Sequence, residues 1–397
     1  MAKLTFKDLS FEDKEKEVKV YFLKLFYFNI QKEDLGQISN HIIEKNSITF
    51  KDISQKKAER KFYMLLEKGF HELKNSLNNK KTIYIHKNSG IPLIGNVGFG
   101  LVDRDTNVIE VKPITGCNLK CIYCSVDEDK RPVDFIIEEE YLAEEFKKLA
   151  LFKETNDIEA HIASQGEPLF YAPLTDLIRN ISKIKQVKII SVDTNGTLLT
   201  KQKIDELVKA GLTRFNFSIN AIDAKIAEKI AGTPYNIERI KELCRYISTK
   251  TNLIITPVLV PGINNDEIPK IIEFAKELKA DIGIQNFLTY KMGRNPVKPI
   301  DFDKFYGLLK AWQDKYKVKL IKSIEDFNIV KTKQLPRPFR KEEVIEAEIV
   351  CPGRLHGEMI AAAKERTISI PDCYKEKGKV RLKITRTKHN IFIGTPV

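Results

Sequence analysis

The sequence lacks the apolar segments that membrane insertion and secretion require. It has no run of 18 apolar residues, the length of a membrane helix. Its most apolar stretch, Leu253–Ile263, is interrupted by Thr256, Pro257 and Pro261. Residues 1–8 contain no apolar core of a signal peptide. We therefore exclude a membrane span, and we expect a cytoplasmic protein that is not secreted.

Acidic residues are fewer than basic ones. The chain has 54 Asp and Glu against 67 Lys and Arg, which gives a net charge of +13. Such a balance favours anionic partners, nucleic acid among them, although many basic proteins are simply well solvated. With 42% apolar and 30% charged residues in 397, the composition excludes a disordered chain and indicates two or three globular domains.

Cysteines are also few, because six in 397 residues do not make a disulfide framework. Three of them, Cys117, Cys121 and Cys124, follow the spacing C-x3-C-x2-C. Three thiolates on one loop can bind three irons of a [4Fe–4S] cluster and leave the fourth iron open. An open position is typical of catalytic metal sites. Structural zinc is the alternative, but it requires a fourth ligand nearby, and the nearest histidines are His86 and His161.

The same loop, with Tyr123 as the aromatic residue of C-x3-C-x-aromatic-C, resembles the signature of the radical S-adenosylmethionine (SAM) enzymes. The resemblance implies that Cys117, Cys121 and Cys124 hold a [4Fe–4S] cluster, that the open iron binds SAM, and that Tyr123 lies beside the cofactors. It also implies an external electron donor, cleavage of SAM, and a 5′-deoxyadenosyl radical that removes a hydrogen atom from the substrate.

Strand and helix patterns alternate between residues 105 and 325. The predicted strands are Val108–Val111, Ile158–Ala163, Val187–Val192, Arg214–Ile219, Leu253–Val260 and Ile282–Phe287. The predicted helices are Glu138–Phe152, Leu174–Lys183, Lys201–Ala210, Asp223–Ile230, Ile237–Thr249 and Ile268–Leu278. Six βα units in series predict a curved parallel sheet in an α/β fold. The resemblance implies a partial (βα)6 TIM-type barrel, which we assign to residues 92–325.

Polar, glycine-containing loops follow these strands, at the end where such barrels place their functional groups. Gln165, Gly166 and Glu167 resemble the family's Gly-Gly-Glu-Pro stretch, which implies binding of the SAM ammonium group. Gln165 replaces the family's first glycine, so the backbone contact at that position is in question. By resemblance, Ser218 and Asn220 are the ribose-binding pair. Thr194 and Asn195, two polar residues after the third strand, are further cofactor-binding candidates. No catalytic residue that touches the substrate is identifiable from the sequence.

The first 91 residues contain neither proline nor cysteine. Phe62, Leu66 and Phe70 recur at helical spacing within residues 53–77. Longer segments that mix polar and apolar residues precede them. We therefore expect an N-terminal helical domain over residues 1–91. The absence of cysteine argues against the methylthiotransferase branch of the family, whose N-terminal domain resembles a second cluster site.

The C-terminal region combines a basic linker, residues 326–345, with a predicted small β-barrel, residues 346–397. Residues 379–386 alternate apolar and basic side chains, so one strand face is cationic. The stretch resembles the end of TRAM domains, OB-like barrels that bind tRNA or rRNA. The candidate RNA-binding residues are Lys379, Arg381, Lys383, Arg386 and Lys388. The alternative is a solvated strand edge protected by lysines.

The other three cysteines have no assigned role. Cys244 shares a helix face with apolar residues, which indicates a buried small hydrophobe. Cys351 and Cys373 could form a disulfide or bind a metal, but free thiols are expected in a reducing cytosol.

Together these features predict a radical SAM enzyme that modifies RNA, with tRNA as the expected class. The first alternative is the same chemistry on a peptide, a protein or a small metabolite, with the basic tail serving solubility. The second is a non-enzymatic iron–sulfur protein that binds RNA, but the SAM-like loops would have no use in such a protein.

Overall fold

The N-terminal region is built mainly from strands. A computed structural model describes residues 1–397. The strands are β1 (Ala2–Thr5), β2 (Leu9–Asp13), β3 (Glu17–Phe22), β4 (Phe26–Gln31), β5 (His41–Glu44), β6 (Ser47–Phe50), β7 (Lys74–Asn75) and β8 (Lys81–Ile85). The helices are α1 (Lys32–Gly36) and α2 (Gln55–His71). The prediction of a helical domain is therefore wrong, although α2 confirms the helix expected within residues 53–77.

The reason lies in the side-chain period of β3 and β4. Val18, Val20 and Phe22 are buried and alternate with more exposed residues, and β4 alternates in the same way. A period of two places one face of a strand in the core, whereas a helix requires a period near 3.6. The mixed polar and apolar run before residue 31 therefore forms a β-hairpin, not a helix.

The central region contains the strands β9 (Gly100–Asp103), β10 (Val108–Lys112), β11 (Thr115–Gly116), β12 (Val133–Ile137), β13 (Ile158–Ile162), β14 (Gln165–Gly166), β15 (Val187–Thr194), β16 (Arg214–Phe217), β17 (Asn252–Ile255), β18 (Val258–Leu259), β19 (Asp281–Ile282) and β20 (Gln285–Asn286). Its helices are α3 (Glu139–Phe152), α4 (Leu174–Ser182), α5 (Lys201–Ala210), α6 (Ala224–Ala231), α7 (Ile237–Ser248), α8 (Glu267–Glu277) and α9 (Phe302–Tyr316). None of the helices has the length and apolar composition needed to cross a membrane.

The largest sheet confirms the predicted partial barrel. Its order is β19-β17-β16-β15-β13-β10-β9, in which six parallel strands follow one another in chain order and β9 is antiparallel at one edge. Two short parallel pairs, β11-β14 and β18-β20, continue beyond the strand ends. The loops that follow the strands are therefore gathered at one end of the barrel.

The N-terminal sheets are joined to the central region through β12. One sheet has the order β1-β6-β5, and the other has the order β12-β8-β7-β4-β3-β2. β12 follows the cysteine loop in the chain and pairs in parallel with β8. The N-terminal region therefore supports the segment immediately behind the cysteine loop.

The C-terminal region is a closed β-barrel, as predicted. Its strands are β21 (Val344–Pro352), β22 (Met359–Ala363), β23 (Arg366–Ile370), β24 (Gly378–Arg386) and β25 (Ile393–Pro396), in the order β21-β22-β23-β25-β24. Thr367 N donates to Ile94 O at 2.8 Å and Phe392 N to Gly95 O at 3.0 Å. Gly95 has a φ of +131°, and a Cβ there would lie 2.1 Å from Thr367 O, so only glycine permits this contact.

Candidate functional site

The cysteine loop, residues 117–124, is held by backbone hydrogen bonds on both sides. Lys120 N donates to Ala231 O at 2.9 Å, at the C-terminal end of α6. A Cβ on Gly232 would lie 2.2 Å from Lys120 O, so glycine allows this close approach. On the opposite side, Arg294 N donates to Cys124 O at 2.9 Å. The loop conformation is therefore determined by neighbouring elements of the barrel.

Cys117, Cys121 and Cys124 are free thiols that line one cavity of about 750 Å³. Burial raises the pKa of all three, that of Cys121 to about 12, so a cation is needed to stabilise the thiolates. No three His, Cys, Asp or Glu side chains converge on a single ion position. Three thiols along a cavity wall fit a cluster, in which each binds a different iron, better than zinc, whose structural sites need four ligands at one centre.

Gln165 and Gly166 lie beside the cysteine loop and line the same cavity. Their strand β14 pairs in parallel with β11, directly before Cys117. A Cβ on Gly166 would lie 2.2 Å from Gly116 O, so this close approach of two backbones requires glycine. The Gln165 side-chain oxygen accepts a hydrogen bond from Arg354 Nη1 at 2.7 Å. The second strand end and the C-terminal barrel therefore meet at Gln165.

Glu167 points away from the cavity, and its side chain is fully hydrogen-bonded. It is only 1% exposed. Its oxygens accept hydrogen bonds from Thr194 Oγ1 at 2.8 Å, Asn195 N at 2.8 Å and Leu169 N at 3.1 Å. Burial nevertheless raises the pKa of Glu167 to about 7. In this arrangement Glu167 joins the second strand end to the third, and its binding of the SAM ammonium group stays a prediction.

Asn195 connects the third strand end to the cysteine loop. Its Nδ2 donates to Asn118 Oδ1 at 3.1 Å and lies 3.8 Å from Cys117 Sγ. Its backbone oxygen accepts a hydrogen bond from Tyr235 Oη at 3.1 Å. Thr194 and Asn195 are both buried, and of the two it is Asn195 that contacts the loop directly.

Asn220 makes an equivalent connection from the fourth strand. Its Nδ2 donates to Tyr123 Oη at 2.9 Å, and its Oδ1 accepts a hydrogen bond from Val258 N at 2.8 Å. The backbone of Ser218 is bound to the third strand, where Ser218 N donates to Thr194 O at 3.0 Å. The structure thus gathers the predicted cofactor residues around one loop, and their contacts with ribose stay predictions.

The candidate RNA-binding residues do not share one unpaired cationic face. The Lys379 ammonium lies 2.8 Å from Glu346, and the Lys383 ammonium lies 2.9 Å from Glu342. Arg381, Arg386 and Lys388 are exposed, and Arg386 also lines the cavity that contains the cysteines. β21, the antiparallel neighbour of β24, supplies Glu346, an acidic residue that the alternating pattern of β24 does not reveal.

Arg131 is a site residue that sequence reasoning missed. Its side chain is only 1% exposed, and its guanidinium lies 2.7 Å from Asp134 Oδ1 and 3.3 Å from Glu128 Oε1. It also donates to the backbone oxygen of Gln165 at 3.1 Å. Arg131 therefore fixes the cavity wall from behind. Its spacing of three residues from Asp134 is that of many surface ion pairs, so no sequence signal distinguishes it.

Sequence reasoning also missed a polar lumen. The inward-facing positions of four adjacent strands carry Glu110, Lys112, Glu159, His161, Ser191, Asp193, Arg214 and Asn216. His161 Nδ1 lies 2.9 Å from Ser191 Oγ, and Nε2 lies 3.4 Å from Asp193 Oδ2. Burial opposes the charged imidazole, but Asp193 outweighs this and raises the pKa of His161. Apolar side chains usually fill such barrels, and the polar residues at every second position of the predicted strands were the available signal.

Sequence and structure comparisons relate this chain to known proteins. The sequence model of the Radical SAM superfamily matches residues 111–275. An uncharacterized protein of Methanocaldococcus jannaschii is 43% identical over 359 residues, 82% of each chain. The GTP 3′,8-cyclase of Campylobacter jejuni subsp. doylei is 30% identical over 226 residues, 56% of this chain and 68% of the cyclase. The structure of TYW1 with a lysine-pyruvate adduct bound is 22% identical, covers 55% of this chain and 77% of that one, and has a TM-score of 0.42.

Proposed function

Because this chain belongs to the radical SAM superfamily, whose enzymes use a [4Fe–4S] cluster and SAM, we propose that it acts on a small metabolite. The observation that carries the proposal is the cavity of about 750 Å³ between the cysteine loop and the C-terminal barrel. Its volume is that of a small-molecule site. Because the barrel is attached directly over the cysteine loop, a substrate has to fit beneath it to reach the reacting atoms.

The residues of this chain prepare that cavity. Cys117, Cys121 and Cys124 would hold the cluster, and Asn195 and Asn220 keep their loop in place. When bound, the cluster supplies the electron that cleaves SAM into methionine and a 5′-deoxyadenosyl radical. Glycine at position 166 lets the second strand end pack against the backbone of Gly116, directly before Cys117.

The name of one relative supports a small substrate. The Campylobacter jejuni protein is called a GTP 3′,8-cyclase, so its substrate by name is a nucleotide. Nucleoside triphosphates are therefore the first metabolites to test, with GTP as the reference compound. A peptide substrate would have to thread beneath the C-terminal barrel, and no observation favours it.

Reductive cleavage of SAM tests the activity directly. Anaerobically reconstituted protein, given dithionite and SAM, is expected to form 5′-deoxyadenosine, measured by liquid chromatography. Cys121→Ala should abolish the product because the cluster would lose one of its three thiolates. Undiminished product in that variant would refute the assignment. Candidate metabolites are then ranked by how strongly they increase the rate of 5′-deoxyadenosine formation.

RNA, with tRNA as the expected class, is the second candidate substrate. The observation that favours it is the exposed pair Arg381 and Lys388 on the C-terminal barrel, neither of which forms an ion pair. Filter binding of total tRNA across a salt series decides, because phosphate contacts give an affinity that falls steeply with salt. Submicromolar binding with a steep salt dependence would favour RNA over the metabolite. No binding at low salt would reject RNA as the substrate.

We propose that the enzyme works in the cytoplasm. What supports this proposal is that the thiols which would hold the cluster have to stay reduced. An external electron donor has to reach the cluster, because radical SAM enzymes must reduce the cluster before it can cleave SAM.

A further inference from the structure

The cavity beneath the C-terminal barrel has an excess of cationic side chains. Its basic lining residues are Arg104, Lys112, Lys291, Arg354 and Arg386, and its acidic ones are Glu110, Glu128 and Glu358. Arg104 and Lys112 share one carboxylate, because both contact Glu110. Lys291, Arg354 and Arg386 form no ion pair with any carboxylate of the chain. The cavity lining therefore carries five cations against three carboxylates, an excess of positive charge.

Of the two remaining acids, Glu358 also interacts electrostatically with Arg354, although the two side chains form no ion pair. Glu128 lies 3.3 Å from the buried guanidinium of Arg131. Glu358 closes its own loop, where its Oε2 accepts a hydrogen bond from Leu355 N at 3.1 Å. Lys291 and Arg386 are exposed, whereas Arg354 is half-buried, and burial of its charge is costly unless an anion binds beside it.

Contacts between the C-terminal barrel and the central region position the Arg354 side chain in the cavity. Its Nη1 donates to the Gln165 side-chain oxygen at 2.7 Å. Glycine at position 98 leaves room for the Arg354 side chain, because a Cβ on Gly98 would lie 3.1 Å from Arg354 Cδ. One hydrogen bond occupies one of the five N–H groups of the guanidinium, so the others remain for a ligand.

We infer that the C-terminal barrel supplies an oxyanion-binding site to the cavity, in which Arg354 and Arg386, with Lys291 from the central region, bind a phosphate of the substrate. Planar guanidinium groups bind phosphate with two parallel hydrogen bonds, which gives both affinity and orientation. The barrel thereby becomes part of the substrate site, and the substrate class is a phosphorylated metabolite. The other source of an oxyanion at this position is the carboxylate of SAM.

Calorimetric titration of the anaerobic, cluster-loaded protein tests the site, with pyrophosphate and then GTP as probes and SAM titrated separately. Arg354→Met should weaken pyrophosphate binding by about 10- to 100-fold, the usual effect of losing hydrogen bonds to a charged group. Arg386→Met should act in the same direction and carries the test if Arg354→Met fails to fold. Lys377→Met is the matched control, since Lys377 is an exposed cation on the same barrel outside the cavity.

Three outcomes would overturn the inference: no pyrophosphate binding by the wild type, equal binding by the Arg354 and Lys377 variants, or a loss of SAM affinity alone. The last result would assign Arg354 to the coenzyme carboxylate. Displacement of pyrophosphate by total tRNA, but not by GTP, would contradict the metabolite assignment. The site rests on the proposed function, yet the two fail separately: 5′-deoxyadenosine without pyrophosphate binding rejects the site, and pyrophosphate binding without 5′-deoxyadenosine rejects the function.

Discussion

Charged groups around the cysteine cavity and charged groups on the outer face of the C-terminal barrel are arranged in opposite ways. On the outer face, Lys379 and Lys383 lie opposite Glu346 and Glu342, and the Lys379 and Glu346 side chains are 70% and 58% exposed. Around the cavity, ion pairs such as Arg131–Asp134 are buried, while Arg354 is unpaired. Paired, hydrated charges keep a surface soluble, whereas buried pairs fix a wall and leave other cations available for a ligand.

Cysteine substitutions should show the largest difference between the cavity and the C-terminal barrel, measured as the iron content of the protein. Cys117→Ala removes a ligand beside the cavity and should reduce the iron bound after reconstitution to a small fraction of the wild-type value, about four per chain. Cys351→Ala and Cys373→Ala remove buried thiols of the C-terminal barrel and should leave the iron content unchanged. Iron and sulfide assays measure this. Loss of iron in either barrel variant would break the comparison.

Arg131→Met should cause the next largest effect. It leaves Asp134 buried with no cationic partner, and breaking a buried ion pair costs about 3–5 kcal/mol of the free energy of unfolding. Urea denaturation of the purified protein measures the change. Arg131→Met together with Asp134→Asn should recover part of the loss, because the second substitution removes the buried charge. If Arg131→Met leaves the free energy of unfolding nearly unchanged, the Arg131–Asp134 ion pair does not stabilise the cavity wall.

The His161–Asp193 pair in the lumen predicts a smaller, pH-dependent effect. The pKa of His161 is raised, so its contribution to stability is complete below about 6.5 and is lost as the pH rises through the folded-state pKa. The pKa of Asp193 is lowered, so its contribution is lost as the pH falls below about 4. The pair therefore stabilises the fold mainly between these limits.

Asp193→Asn should lower the pKa of His161 in NMR titrations and remove stability at pH 5.5 more than at pH 8. Asp314→Asn, which replaces an exposed carboxylate of α9, is the control and should change neither quantity. An unchanged His161 titration in Asp193→Asn would mean that Glu159 and Glu110, the other carboxylates facing the imidazole, carry the interaction instead.

The outer face should show the smallest effect. Lys379→Met breaks an exposed pair with Glu346, and exposed ion pairs contribute at most about 1 kcal/mol. Urea denaturation at low and high salt should therefore give nearly the same free energy of unfolding as the wild type. A loss as large as that of Arg131→Met would remove the distinction between the two regions.

Local patterns were enough to predict the central fold. Each strand of the partial barrel is bounded by turn residues, and each helix repeats its apolar residues along a single face, so all six βα units were placed within a few residues. The cysteine loop was equally local, since its three ligands lie within eight residues. The N-terminal hairpin was missed because its turn, at Leu23 and Lys24, has positive φ angles without a glycine or proline to mark it, so the two strands were read as one continuous run.

Contacts between distant parts of the chain could not be predicted. Arg354 meets Gln165 across 189 positions, and Glu167 meets Thr194 and Asn195 across 27 and 28. No local period encodes which loop will lie beside another, because that depends on how the barrel closes and where the C-terminal barrel attaches. The same reason explains why Lys379 and Lys383 looked like free cations until β21 was seen beside β24.

Electron paramagnetic resonance of the dithionite-reduced, reconstituted protein tests the central claim most directly. If three thiolates hold the cluster and leave one iron open, addition of SAM should change the g values of the reduced cluster as the coenzyme binds that iron. A spectrum that SAM leaves unchanged, or a protein that binds no iron–sulfur cluster at all, would contradict the account.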